Sequence, residues 1–270
     1  MMSVIGILGG GWLGSALAEK ALEKGHLVKI TTTTAQKRNS FVQKGFNTHL
    51  LKVNETDIEG ELEFFKDIDF LVITIPPGLR KNPERNYVSL MEQIILKIEL
   101  FDIKKVLFTS STGVYGFQEG VISEASALLG TTSSAQQIIE VEQKLLERKK
   151  FESSIIRLGG LMGPDRHPIT TLSGKKNLPN PLSPINFIHQ KDAVAIILQV
   201  LENGKGNQVY NAVSPFHPSR KEYYEQMAKI AQLSPPTFEK TGAKRGIISA
   251  DKIVNELNYQ FMVKNLLILF

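Results

Sequence analysis

The 270-residue sequence predicts an α/β fold, a doubly wound parallel sheet with a small, discontinuous C-terminal lobe. Three observations support this prediction. Short apolar runs alternate with segments of helical periodicity over residues 1–158, and a glycine-rich turn follows the first apolar run. A segment rich in Gly, Pro, Ser and Asn then interrupts the alternation at 159–184. Alternating strands and long helices build a parallel sheet covered on both faces, because the crossovers are right-handed.

The predicted strands and helices follow in order from the hydrophobic pattern. Residues 4–8 form a continuous apolar run, which is typical of a strand buried on both faces. The next segment, 12–24, has apolar residues at helical spacing and ends before Gly25. Further strands are predicted at 26–32, 46–53, 70–75, 105–110 and 153–158, with helices at 35–44, 84–100 and 133–150. After the interruption at 159–184, the chain is predicted to return to the sheet. This return comprises residues 186–189, a helix at 191–202 and a strand at 208–211.

The composition excludes several classes of protein. Hydrophobic residues make up 42% of the chain, charged residues make up 22%, and cysteine is absent. These values exclude collagen-like, disordered and disulfide-scaffold proteins. The absence of cysteine also excludes thiolate nucleophiles and metal sites with cysteine ligands. The net charge of +5 is spread along the chain, so we expect no nucleic-acid partner. With no apolar run of about 20 residues and no signal peptide, we also expect a cytoplasmic protein without a membrane partner. No metal site is expected.

A GxGxxG turn predicts a bound dinucleotide. Gly9, Gly11 and Gly14 directly follow the first strand and open the first helix. In such a turn the first glycine allows the tight bend, the second lets the backbone approach a pyrophosphate, and the third lets helix and strand pack closely. The helix N-terminus, at Trp12 and Leu13, offers free N–H groups to the phosphates. The alternative is a glycine-rich turn that binds nothing.

The end of the second strand favours NADP(H) over NAD(H). An acidic residue is expected there to bind the ribose 2′-OH of NAD, but the sequence has Thr32 and Thr33. Lys37 and Arg38 follow, and hydroxyls with a cation can accept a 2′-phosphate. The alternative is that both cations are surface residues of the next helix. The cofactor groove is also predicted to include Ile75, Pro76 and Ser110, which lie at the ends of two later strands.

Four further segments resemble one family. They read VLFTSSTGVYG at 106–116, IRLGGLMGP at 156–164, NFIHQKD at 186–192 and VYNAVS at 209–214. In this order after GxGxxG, the chain resembles the extended short-chain dehydrogenase/reductases, the NAD-dependent epimerase/dehydratase family. The resemblance implies a Rossmann domain that binds a nicotinamide cofactor, here 1–158 and 185–213, and a small substrate-binding lobe, here 159–184 and 214–270. It also implies that Ser111 hydrogen-bonds the substrate oxygen, whereas a turn that caps the strand is the alternative.

The chain departs from the family at the Tyr-x-x-x-Lys pair, which makes it an atypical member. Alignment of the helix near 141–143 places Ser134 at the tyrosine position and Ile138 at the lysine position. Neither side chain can replace the pair in proton transfer. Tyr115 and His167 are the candidate catalytic substitutes, with Tyr115 preferred, although a packed tyrosine and a surface histidine are the alternatives. His189 is expected to be structural.

Two functions follow from these residues. The first is an NADP(H)-dependent, epimerase-like oxidoreductase that acts on a small polar carbonyl or sugar-like substrate, with a proton from water, Tyr115 or His167. The second is a non-catalytic NADP(H)-binding sensor or scaffold, which the missing pair favours. The sequence permits a homodimer but does not require one. The apolar segment 266–270 packs either on the protein body or on a partner chain, and the sequence does not distinguish these alternatives.

Overall fold

A computed structural model describes residues 2–268 and contains eight helices and twelve strands within that range. The strands are β1 (Val4–Leu8), β2 (Leu27–Thr32), β3 (Asn47–Val53), β4 (Ile58–Gly60), β5 (Phe70–Ile73), β6 (Lys105–Ser111), β7 (Val121–Ile122), β8 (Glu152–Leu158), β9 (Gly160–Met162), β10 (Phe187–His189), β11 (Val209–Ala212) and β12 (Ile247–Ile248). The helices are α1 (Trp12–Glu23), α2 (Ala35–Gln43), α3 (Tyr87–Leu100), α4 (Ser133–Leu146), α5 (Pro168–Leu172), α6 (Gln190–Asn203), α7 (Arg220–Ile230) and α8 (Asp251–Leu257).

Eight strands form the central sheet in the order β11-β8-β6-β5-β1-β2-β3-β4. All neighbours are parallel except β3 and β4, which pair antiparallel at one edge. The order reverses on either side of β1, so the carboxyl ends of β1, β2 and β5 border a crevice where doubly wound sheets bind ligands. This confirms the predicted fold class, and each strand predicted at the sequence level lies within two residues of its observed bounds.

Two apolar cores cover the faces of the sheet, and a third lies beside it. Helices α1, α6 and α8 pack on one face, and α3 and α4 pack on the other. The third core joins α7 to β9 and α5 through buried residues that include Met162, Ile169, Tyr223 and Met227. Residues 250–261 contribute to the first core rather than to the third. The assignment of 159–184 and 214–270 to one substrate lobe stays a prediction.

The segment after α8 crosses from the sheet to the third core. Asp192, which is fully buried in the first turn of α6, accepts hydrogen bonds from the Tyr259 hydroxyl at 2.7 Å and from the N–H groups of Met262 and Val263 at 2.7 and 3.1 Å. Leu266 is then fully buried in the third core. The apolar C-terminal segment therefore packs on the protein body up to Leu266, and its last two residues, 269–270, lie outside the described range.

Three pairings that the sequence did not predict involve very short strands: β4 on β3, β9 with β10, and β7 with β12. Two or three residues are too few to show an alternating or continuous hydrophobic pattern. The prediction that residues 186–189 return to the central sheet was wrong, because β10 pairs with β9 in a separate two-stranded sheet. Within residues 2–268, no helix is long and apolar enough to span a membrane.

Candidate cofactor and substrate site

The glycine turn is fixed to the strands on both sides of β1. The Gly9 N–H donates to the Thr31 hydroxyl at 2.9 Å, and the Gly10 N–H donates to the Thr31 carbonyl at 2.8 Å. From β5, the Thr74 hydroxyl donates to the Gly9 carbonyl at 2.7 Å. Gly9 has a φ of 117°, which a residue with a Cβ rarely adopts. The conformation of the turn is thus fixed by its hydrogen bonds to Thr31 and Thr74 and by the φ of Gly9.

Gly14 and Gly11 show different requirements for glycine. A Cβ at Gly14 would lie 2.1 Å from the Gly9 carbonyl oxygen, so glycine is needed there for α1 to pack on the turn. A Cβ at Gly11 would meet no protein atom within 4 Å. No side chain caps α1, whose first N–H groups belong to Trp12 and Leu13. The open space at Gly11 and the uncapped helix end fit a phosphate group of a dinucleotide.

A groove of about 1010 Å³ runs from this turn along the carboxyl ends of β1, β2 and β3. The residues of the predicted cofactor site that line it are Gly9, Gly11, Thr32, Thr33, Lys37 and Ile75. Its lining also includes residues that the sequence analysis did not identify, namely Lys52, Asn54, Glu55, Asn82 and Arg85. The signal for Lys52, Asn54 and Glu55 was available, because these residues lie at the end of the predicted strand 46–53 or directly after it, at the carboxyl edge of the sheet.

Lys37 and Arg38 have different surroundings. The Lys37 ammonium lies 5.4 Å from the centroid of the Phe41 ring, and the side chain is exposed at the groove. The Arg38 guanidinium instead pairs with the Glu61 carboxylate at 2.8 Å and is not among the groove residues. Of the two predicted 2′-phosphate ligands, the structure therefore brings only Lys37 to the groove beside Thr32.

Four more predicted cofactor residues lie around the groove rather than in its lining. The Leu13 side chain is buried in the first core, and Pro76 is exposed beyond the end of β5. Ser110 is 5% exposed, and its hydroxyl donates to the Glu142 carboxylate. The Trp12 indole N–H donates to the Pro164 carbonyl at 3.1 Å. The side chains of Leu13, Ser110 and Trp12 therefore contact protein groups in this structure.

Ser111 ends β6 and begins a short 3-10 turn. Its hydroxyl oxygen accepts the N–H of Gly113 at 3.1 Å, which is the strand-capping contact that the sequence left as an alternative. The hydroxyl hydrogen is not used by this bond, so the group can still donate to a ligand. Thr112 and Gly113, which follow it, line a second pocket of about 650 Å³.

The second pocket lies between the end of β6 and the third core, and it is basic. Arg80, Arg220 and Arg245 line it, and its described lining contains no Asp or Glu. Arg220 is anchored by donation to the Pro179 carbonyl at 2.6 Å, and Arg245 lies 5.6 Å over the Phe117 ring. An anionic ligand in this pocket could accept charge-assisted hydrogen bonds from these side chains.

Tyr115 belongs to a buried ionic network, and it also contributes to the lining of the second pocket. It is 1% exposed, its hydroxyl donates to Asn211 at 2.7 Å, and it accepts from the Arg157 guanidinium at 2.9 Å. Arg157 also makes a two-pronged ion pair with Glu142, whose shortest N–O distance is 2.7 Å. Burial raises the pKa of the Tyr115 hydroxyl above its usual value, with a smaller opposing effect from Arg157. The Tyr115 hydroxyl thus joins the end of β8 to β11 through Arg157 and Asn211, and its catalytic role stays a prediction.

His167 caps α5 and contacts the third core. Its Nδ1 accepts the N–H of Ile169 at 3.1 Å, and its Nε2 lies 3.2 Å from the Tyr223 hydroxyl. Because Nδ1 accepts, the neutral ring carries its proton on Nε2. Burial lowers the pKa of His167 below its usual value. The ring does not line the groove or the second pocket.

The positions aligned with the usual Tyr and Lys lie on α4. Ser134 is half-buried in the first turn, and Ile138 is 5% exposed within the second core. No charged side chain can take the position of Ile138 without entering that core. Within residues 2–268, no cluster of three His, Asp or Glu side chains is placed to hold a metal ion.

A doubly wound sheet with an open phosphate-binding turn and a second pocket at the same edge defines a Rossmann-type dinucleotide-binding protein. The model of the NAD-dependent epimerase/dehydratase family matches residues 5–212, and the chain belongs to this family. It is 30% identical to Protein YeeZ of Escherichia coli K12 over 272 residues, which cover 99% of each chain.

Solved structures of sugar-nucleotide enzymes share the fold. The chain is similar to UDP-glucose 4-epimerase of Thermotoga maritima with UDP-glucose, at a TM-score of 0.78 and 14% identity over 96% of this chain and 93% of that one. It is also similar to dTDP-glucose 4,6-dehydratase of Bacillus anthracis in complex with NAD, at a TM-score of 0.78 and 18% identity over 99% and 94%. A third relative in fold is MoeE5 in complex with UDP-glucuronic acid and NAD, at a TM-score of 0.76 and 17% identity over 98% and 96%.

Proposed function

We propose that this protein is an NADP(H)-preferring oxidoreductase that acts on an anionic, sugar-like carbonyl or alcohol, and that it works without the usual Tyr/Lys pair. The observation that carries the proposal is that the groove and the second pocket lie at the same edge of the sheet. The groove beside Gly11 suits a dinucleotide, and the pocket beside Ser111 is lined by three arginines. Relatives that bind UDP-sugars with NAD support the choice of substrate class.

The cofactor would lie with its pyrophosphate at the start of α1 and its 2′-phosphate near Lys37 and Thr32. When bound, the nicotinamide supplies or accepts the hydride. Thr32 offers a hydroxyl and Lys37 a cation, and no described carboxylate pairs with the Lys37 ammonium within 4.0 Å. This arrangement supports NADP(H) over NAD(H).

Ser111 would polarise the substrate oxygen. Its oxygen already accepts from Gly113, so the hydroxyl is oriented with its hydrogen available for the substrate. In reduction, the carbonyl carbon receives the hydride and the oxygen receives a proton. Water is the proton source we propose, because the Tyr115 hydroxyl is buried and fully bonded and both His167 ring nitrogens contact protein groups.

The anionic part of the substrate would be held by Arg220 and Arg245. Both lie in the second pocket with an anchored side chain, which reduces the entropy lost when a carboxylate or phosphate binds. A phosphate or carboxylate can accept two parallel N–H bonds from each guanidinium.

The test is turnover of UDP-glucose and UDP-glucuronic acid with NADP⁺ and NAD⁺, measured by the absorbance of the reduced nicotinamide and by NMR of the sugar. Ser111→Ala is expected to lower kcat about 100-fold or more. Tyr115→Phe is the matched control and is expected to keep kcat within about threefold, since its hydroxyl supports structure. Equal losses in the two variants would contradict the assignment of Ser111.

The sensor or scaffold remains the second candidate, because the lysine position is a buried isoleucine, Ile138. It predicts tight binding of NADPH with no turnover of either sugar nucleotide. Calorimetric titration of NADPH in the presence of each sugar nucleotide separates the two functions, since an enzyme binds both ligands together and a sensor of the cofactor alone does not.

A further inference from the structure

The turn at 163–166 is fastened to the first residue of α1. The Trp12 indole N–H donates to the Pro164 carbonyl at 3.1 Å, and the Gln190 side-chain amide donates to the Trp12 carbonyl at 2.9 Å. A Cβ at Gly163 would lie 3.1 Å from the Trp12 ring, so glycine permits this close approach. Residues far apart in the sequence thereby meet at the phosphate-binding turn.

The same turn places Arg166 on the Trp12 ring. The N–H groups of Gly163 and Arg166 each donate to the carbonyl of the other at 3.0 Å, and Asp165 between them has a φ of 57°. The guanidinium carbon of Arg166 lies 5.1 Å from the Trp12 ring centroid, within the range of a cation–π contact. Both the backbone and the side chain of Arg166 are thus held in place.

The guanidinium of Arg166 is exposed beside the residue that begins α1. Trp12 is the first residue of α1, and no side chain caps the N-terminus of that helix. Within residues 2–268, no carboxylate pairs with Arg166 at a distance of 4.0 Å or less, although Asp165 is its neighbour in sequence. An anion bound at the start of α1 would be attracted both by the helix dipole and by the guanidinium on the Trp12 ring.

We propose that Arg166 is a further ligand of the dinucleotide pyrophosphate, held in position by the ring of Trp12. The inference rests on the dinucleotide binding in the proposed function and extends it to a loop that follows β9. Arginine suits this role because its planar group both stacks on an aromatic ring and donates two parallel bonds to a phosphate.

The test is isothermal titration of wild type and Arg166→Gln with NADPH, with ADP-ribose, which keeps the pyrophosphate, and with adenosine, which lacks it. We expect the variant to bind NADPH and ADP-ribose roughly 10- to 100-fold more weakly. Adenosine should bind within twofold of wild type. Arg148→Gln is the control, because Arg148 is an arginine of similar exposure at the opposite edge of the sheet.

Two results would overturn the inference. One is unchanged binding of ADP-ribose by Arg166→Gln, and the other is an equal loss for adenosine, which would indicate a damaged site. Arg166→Lys keeps a cation without the planar fork, and we expect it to recover part of the lost affinity. If wild type binds neither NADPH nor ADP-ribose, the proposed function fails as well, whereas a defect confined to Arg166→Gln concerns only this residue.

Discussion

The guanidinium of Arg38 is paired with the carboxylate of Glu61, with 2.8 Å between Nη1 and Oε1. Glu61 also accepts the N–H of Leu50 at 3.2 Å, which fixes its carboxylate at the edge formed by β3 and β4. Arg38 is therefore directed toward that edge, while Lys37 faces the groove. Two adjacent cations that look equivalent in the sequence thus have different partners.

We expect Lys37→Ala to bind NADPH roughly tenfold more weakly and to leave the Kd for NADH within twofold. The reason is that Lys37 is the groove-facing cation beside Thr32, and it would contact a phosphate that NADH lacks. Calorimetric titration with both cofactors measures the difference. Arg38→Ala is the matched control and should change neither Kd appreciably, because its charge is paired with Glu61. A larger effect in Arg38→Ala would show that the ion pair opens on binding.

Substitutions at Gly11 and Gly14 should separate binding from stability. Gly11→Ala adds a Cβ that meets no protein atom within 4 Å, so its free energy of unfolding should change by less than about 0.5 kcal/mol. Its NADPH affinity should fall at least roughly tenfold, since the methyl group enters the phosphate space. Gly14→Ala places a Cβ 2.1 Å from the Gly9 carbonyl and should lose about 1–3 kcal/mol. Urea unfolding and calorimetry measure the two effects, and normal NADPH affinity in Gly11→Ala would contradict the phosphate assignment.

Removal of one partner from the buried ion pair between Glu142 and Arg157 should strongly destabilise the protein. Both side chains are 5% exposed or less, so Glu142→Ala leaves an uncompensated buried guanidinium. We expect a loss of about 3–5 kcal/mol in the free energy of unfolding, measured by urea denaturation. Glu140→Ala on the same helix is the control. It removes an exposed pair with Lys144 and should cost less than about 1 kcal/mol.

Stability should fall as the pH decreases below about 6.5. Burial lowers the pKa of His49, His167, His189 and His217 in the folded protein. In this window the unfolded chain binds protons that the folded chain does not, so protonation stabilises the unfolded state. At about pH 7.5 and above, both states are almost entirely neutral at these sites and the contribution is constant.

Urea unfolding at several pH values between about 7.5 and 5.5 measures this slope. Three carboxylates do not account for this slope, namely Glu99, Glu202 and Glu222. Their pKa is lowered in the folded protein, so their contribution to the free energy of unfolding is lost only as the pH falls below about 4.5. His217→Gln should reduce the slope, because it removes one of the four groups. A slope unchanged in that variant would mean that His217 is not one of its sources.

The sequence by itself determined the doubly wound sheet, the family and the phosphate-binding turn. These features depend on local patterns: a continuous apolar run for each buried strand, helical periodicity between strands, and glycines at fixed spacing. The sequence also predicts that the Tyr/Lys pair is absent, because the alignment places Ser134 and Ile138 of α4 at its two positions.

Only the tertiary structure decided which side chains face the groove and which are bonded to other protein groups. Arg38 pairs with Glu61, and Tyr115 is bonded to Asn211 and Arg157, through contacts between elements distant in sequence. Residue type and spacing do not specify such partners, since hydrogen bonds and ion pairs depend on where the folded chain brings each group. For the same reason the contact between Trp12 and Arg166 became visible only in the folded chain.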